Sequence, residues 1–140
     1  MINYPETVGF NLVKLCKMYF NTLNTMLGEV GLYEGQHHTL MQLWESDGLP
    51  QAELIQRLGV EPASVSKAIE RMENAGIVQR QPDPEDARAN CIFLTEKGRS
   101  LEEPVRRILA ESEERLLATM SVEERLLLRR LLLQMRENLK

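Results

Sequence analysis

The stretch from Pro62 to Gly98 constrains the fold of this chain more than any other. Pro62 to Ala75 carries apolar residues at helical spacing, and Gly76 supplies a left-handed stop. Two apolar runs follow, Ile77-Val78 and Cys91-Ile92-Phe93-Leu94, on either side of a segment rich in Pro, Asp and Asn that is too polar to be buried. They read as two short strands joined by a projecting polar tip that carries Arg88. Directly upstream, Pro50 to Leu58 is another short helical pattern, separated from the next only by Gly59-Val60-Glu61. Two helices across so short a turn, followed by a hairpin, imply a winged helix-turn-helix, and the partner such a unit fits is a DNA duplex.

The helix from Pro62 has two faces. At about 100° per residue, Val65, Ile69 and Met72 share one stripe, while Ser64, Lys67 and Arg71 share the opposite one. The first stripe is expected to anchor the helix and the second to stay free. A helix entering a major groove amino end first brings Ala63, Ser64 and Lys67 to base edges, with Ser66 and Arg71 positioned for bases or backbone. Glu70 and Glu73 fall to the side between the stripes. Arg88, expected where the hairpin is most extended, can enter an A·T-rich minor groove, whose narrowness deepens the negative potential. Asp86 is expected to orient Arg88 or to close the hairpin. Arg80 and Arg99 are nearby phosphate candidates.

The rest of the chain is helical. Val8, Leu12, Leu15, Cys16, Tyr19, Leu23, Met26 and Leu27 recur at spacings of three and four, predicting a helix over Glu6 to Leu27. A second helix is predicted from about Glu34 to Glu45, with Leu40, Leu43 and Trp44 inward. Thr95 reads as the cap of a long helix in which Pro104 marks a bend or the true start. Ser121-Val122-Glu123-Glu124 is a capping box opening a last helix whose leucines cover more than one face. One face can pack within the protomer; the excess points to a second copy, with the first and last two helices packed together as a twofold dimer. The fold class is therefore mainly α with a small β-hairpin wing. Residues 1–30 and 100–140 are expected to form the dimerisation region, and residues 31–99 the DNA-binding region.

Composition narrows the function. A net charge of −4 in 140 residues weakens attraction to phosphate without excluding it, since what matters is which face each charge occupies. No apolar run approaches the length of a membrane span and no secretory signal opens the chain, so the cytoplasm is expected. Cys16 and Cys91 show no metal-binding or disulfide spacing. Neither a metal nor a cofactor is expected, and no Gly-rich phosphate loop or Ser/His/Asp order suggests an enzyme. The competing class is a winged helix that docks a protein partner and does not bind DNA.

With these elements in place, the chain resembles the MarR family of bacterial regulators over nearly its whole length. The run Asp83-Pro84-Glu85-Asp86-Ala87-Arg88, followed by Leu94-Thr95-Glu96-Lys97-Gly98, is similar to the family's Asp-Pro-x-Asp-Arg-Arg wing and Leu-Thr-x-x-Gly exit. Gln51-Ala52-Glu53-Leu54, Ser64-Val65-Ser66 and Glu73-Asn74-Ala75-Gly76-Ile77-Val78 add to the likeness. The resemblance implies an obligate homodimer on a pseudo-palindromic operator, repressing until an effector binds. It carries over Asp86 and Arg88 as the wing pair and Ser64, Ser66 and Lys67 as recognition positions. Ala87 departs from the pattern, which often has arginine there. Relatives that take small aromatic or phenolic acids do so between the dimer arms and the reading unit, and Tyr19, Phe20, Tyr33, His37 and His38 are the residues here that could line such a crevice. Cys16 resembles the sensing cysteine of the organic-hydroperoxide branch, with Tyr19 one turn away, so a redox-sensing repressor is the alternative.

Overall fold

The computed structural model describes residues 1–140, in seven helices and one three-stranded antiparallel sheet. A 3-10 turn at Tyr4–Glu6 leads into α1, Val8–Gly28, whose cap Thr7 accepts from the Phe10 N–H at 3.1 Å. Next come α2, Gln36–Glu45; β1, Leu49–Pro50; α3, Gln51–Leu58; and α4, Pro62–Asn74. The wing is β2, Val78–Asp83, and β3, Asp86–Leu94; α5, Glu96–Ser100, α6, Glu102–Leu117, and α7, Val122–Asn138, complete the chain. The expected fold class is what the structure shows: mainly helical, with a small antiparallel wing.

Boundaries moved where backbone geometry decided them. The second helix starts at Gln36 and not near Glu34, because Gly35 stands in the left-handed region at φ 74°, and the Gln36 carboxamide reaches back to accept from the Tyr33 N–H at 2.9 Å. Pro50, expected as the first residue of a helix, instead precedes it and pairs with Cys91 at the edge of the sheet, in the order β1-β3-β2. Thr95 caps only the five residues of α5, not a long helix. The chain turns at Leu101, and Pro104 lies in the first turn of α6, where its missing N–H costs no intrahelical bond.

The core lies between residues 23 and 105. Leu27, Leu32, Leu40, Leu43, Leu54, Ile69, Met72, Ile92 and Val105 are wholly buried, so α1 contributes only its C-terminal end and α7 contributes nothing. Val8, Val13, Leu15, Met18 and Phe20 on α1, and Leu126, Leu127, Leu131, Leu132 and Leu133 on α7, are exposed in the single chain. Cys16, on that outer part of α1, is exposed rather than part of a core stripe. No helix is long and apolar enough to cross a membrane.

Candidate nucleic-acid interface

The two stripes of α4 fall as their spacing dictates. Val65, Ile69 and Met72 are buried, while Ala63, Ser64, Lys67 and Arg71 are exposed. Ser66 is half-buried at the edge between them. Helix α4 is fixed at its carboxyl end by the segment after the wing. The Thr95 hydroxyl donates to the carbonyls of Gly76 and Ile77 and accepts from the Gly98 N–H at 3.1 Å, and the Lys97 ammonium donates to the Ala75 carbonyl at 2.9 Å. The open carbonyls of α4 itself, on Arg71, Met72 and Glu73, accept from the backbone N–H groups of Ala75, Ile77 and Gly76, so Thr95 and Lys97 hold the turn just past the helix, Lys97 with a cation at its carboxyl end. From the other side, the Asp47 carboxylate accepts from the Leu94 N–H at 2.8 Å and lies 3.6 Å from the Arg99 guanidinium.

Arg80 has partners on α4 that its place in the sequence does not show. The guanidinium of this phosphate candidate is folded between β2 and α4. It donates to the Ser66 carbonyl at 3.3 Å and stands 3.7 Å from the Glu73 carboxylate, which also accepts from the Arg80 backbone N–H at 3.2 Å. Its Nε is buried without a hydrogen-bond partner. Glu73 is thus held by a cation, and Arg80 braces α4 against the base of the wing. Arg99, the other phosphate candidate, is paired with Asp47.

The wing is longer than its apolar runs suggested. Val78 pairs with Leu94 and the ladder continues to Pro82 opposite Asn90, after which the register shifts and Asp83 meets Asp86. Ala87, Arg88 and Ala89 have no partner across this irregularity. The tip is Pro84-Glu85. Arg88 therefore stands beside the tip on β3, exposed, and not at the most extended point. Asp86 closes the hairpin: its carboxylate accepts from the Arg88 backbone N–H at 3.0 Å and makes no ion pair with the guanidinium. Asp83 does the same for the Glu85 N–H at 2.9 Å. Both carboxylates are engaged with backbone, which leaves Lys67, Arg71 and Arg88 as cations without a carboxylate partner on this side of the molecule.

The expected effector residues do not converge within one protomer. The Tyr19 hydroxyl is bonded to the Ser112 hydroxyl at 3.2 Å, tying α1 to α6 instead of facing Cys16. Phe20 is exposed. Tyr33 lines a groove of about 340 Å³ with Gln36 and Arg71, whereas His38 lines a separate open groove of about 830 Å³ between α2, α3 and α4. His37 is buried against its neighbour, with the two rings 4.0 Å apart; burial first, then the charge of His38, lowers its pKa to about 4. Burial and the adjacent Asp83 carboxylate push the Cys91 thiol above its ordinary range. No three His, Cys, Asp or Glu side chains are grouped to hold a metal ion.

Residues 32–89, which span α2 to the wing, match the family described as MarR family. The chain is 30% identical over 109 residues to the uncharacterized HTH-type transcriptional regulator YdgJ of Bacillus subtilis, covering 78% of this chain and 66% of that protein. Among solved structures, a MarR transcriptional regulator from Methanosarcina mazei superposes with a TM-score of 0.82 at 28% identity, over 94% of this chain and 96% of the other. The PcaV transcriptional regulator of Streptomyces coelicolor, solved in complex with its natural ligand, shares the fold with a TM-score of 0.83 at 19% identity, over 100% of this chain and 99% of that one. With the matched segment running from α2 through the wing to Ala89, and the likeness to these relatives extending over most of its length, the chain belongs to the MarR family of transcriptional regulators.

Proposed function

We propose that this protein is a homodimeric repressor that binds a pseudo-palindromic operator and is released by a small aromatic or phenolic effector. The observation that carries the DNA reading is the pair of stripes on α4, one buried and one bearing Ser64, Lys67 and Arg71, beside a hairpin whose exposed Arg88 has no ion-pair partner. In this reading Ala63, Ser64 and Lys67 meet base edges, Ser66 and Arg71 the flanking backbone, and Arg88 the minor groove. Asp86 and Arg80 act by holding the wing and the helix in register, not by touching DNA. The exposed leucines of α7 and the apolar outer half of α1 support the division into a dimerisation region, 1–30 and 100–140, and a reading region, 31–99. Two such units spaced about one duplex turn apart fit two half-sites.

Release by an effector is supported by the ligand held by PcaV, a protein of the same fold. Because Tyr33 and His38 line different grooves of the protomer, a shared crevice would have to be completed by the second copy. The test is fluorescence anisotropy with duplexes tiled across the gene's own promoter, titrated at 50 and 200 mM salt. A DNA reader with several phosphate contacts loses about 10³ or more in affinity across that interval. A flat titration would instead favour the protein-docking module.

A further inference from the structure

The junction between α6 and α7 is closed by a single side chain. Arg125, in the first turn of α7, turns back over the link 118–121 and donates to both carboxylate oxygens of Glu114, at 2.9 and 2.8 Å. The same guanidinium donates to the Leu117 carbonyl at 2.9 Å and to the Met120 carbonyl at 3.2 Å. A carboxylate on α6, the last carbonyl of α6 and the carbonyl just before the Ser121 cap are thus held by one planar fork. On the far side of the link the reciprocal bonds of Ser121 and Glu124 fix the first turn of α7, at 3.0 and 3.1 Å. A lysine, with three donors on one nitrogen, cannot reproduce this arrangement.

The arrangement contributes little to the protomer itself. The Glu114 side chain is 67% exposed, a setting in which an ion pair adds little to stability, and no residue of α7 is buried in the single chain. What the fork does control is the direction in which α7 leaves α6. We propose that Arg125 is a positioning residue for DNA reading: its hold on Glu114, Leu117 and Met120 sets the angle of the dimerisation arm and hence the spacing and rotation of the two reading helices. This rests on the reading of the chain as a twofold DNA-binding dimer.

The experiment uses the full chain and a duplex selected by the wild-type protein from a random library, with two further versions carrying one base pair more or fewer at the centre. One base pair rotates the half-sites by about 34° relative to each other. The wild type is expected to bind the altered duplexes roughly tenfold or more weakly than the selected one. Arg125→Met and Arg125→Lys are expected to bind the selected duplex more weakly, yet to distinguish the three duplexes by less than about threefold. Sedimentation and circular dichroism identify folded dimers; if Arg125→Met is not one, Glu114→Gln, which leaves both carbonyl bonds, carries the test with an intermediate loss of discrimination. Folded dimeric variants that keep the wild-type ratio among the three duplexes overturn the positioning role and leave the dimeric reader standing. A wild type that is monomeric, or selects no duplex, overturns that reading and this proposal with it.

Discussion

The indole N–H of Trp44 donates to the carbonyl of Gly98 at 3.0 Å, joining α2 to α5, the short helix that follows the wing. Gly98 is buried there because the Ile77 carbonyl lies against it so closely that a Cβ would overlap backbone. The glycine of the Leu94-Thr95-Glu96-Lys97-Gly98 exit is therefore set by contact, not by an unusual backbone angle. Gly98→Ala is expected to destabilise the protein by about 1–3 kcal/mol, the range for overpacking a tight site. Urea unfolding measures it, and an unchanged midpoint would show that the Ile77 segment yields at no cost.

Arg88 and Arg80 lie on facing strands of one hairpin but should fail differently. Arg88→Ala is expected to weaken operator binding by about 1–3 kcal/mol and to flatten the salt dependence, with the thermal midpoint unchanged. Arg80→Ala frees Glu73 and the Ser66 carbonyl, so it should lower the midpoint as well as the affinity. A pairing of anisotropy with thermal melts separates the two, and an Arg80→Ala protein of full stability would contradict the brace.

Ala87 is exposed beside Arg88 where the family pattern often has arginine. Ala87→Arg is expected to add a phosphate contact, steepening the slope of log affinity against log salt by about 0.9 per protomer. The same slope before and after substitution would place residue 87 away from the backbone of the duplex.

His37 makes stability depend on pH. Its folded pKa of about 4 lies below the ordinary 6.5, so between those values the unfolded chain takes up a proton that the folded chain refuses. Stability from this group is complete above pH 6.5, falls as pH drops and stops falling near pH 4. From pH 6.5 to 4.5 the loss should be on the order of 1–2 kcal/mol. The depressed carboxyl of Glu114, held by Arg125, begins to titrate in the unfolded chain only around the ordinary 4.5, so the upper part of the window belongs to the histidine. Denaturant midpoints of His37→Leu, compared with wild type over that range, should show a smaller slope.

Local chemistry made much of the reading unit legible. Val65, Ile69 and Met72 lie inward because helical spacing leaves them no other face, Gly76 turns at φ 76° where a left-handed stop was needed, and Ser121 and Glu124 form their capping box. What was missed depends on partners distant in sequence. Strand β1 is two residues with a proline, too short to show alternation, and exists only because β3 offers Cys91 and Ile92. Arg80 reads as a free cation until the fold brings Ser66 within reach. The strands of the wing extend past their apolar runs through Gln79, Arg80, Gln81 and Asn90, whose side chains carry no strand signal. Tyr19 and Cys16 sit one turn apart, yet the tyrosine turns to Ser112 on α6, a direction that periodicity alone does not specify.

With every leucine of α7 outside the single chain's core, an isolated subunit has an arm with nothing to rest on. If pairing is the only way to cover it, the concentration of competent reader at low abundance rises with the square of the number of copies made. A modest change in synthesis would then swing promoter occupancy sharply, giving the cell a dose-sensitive threshold.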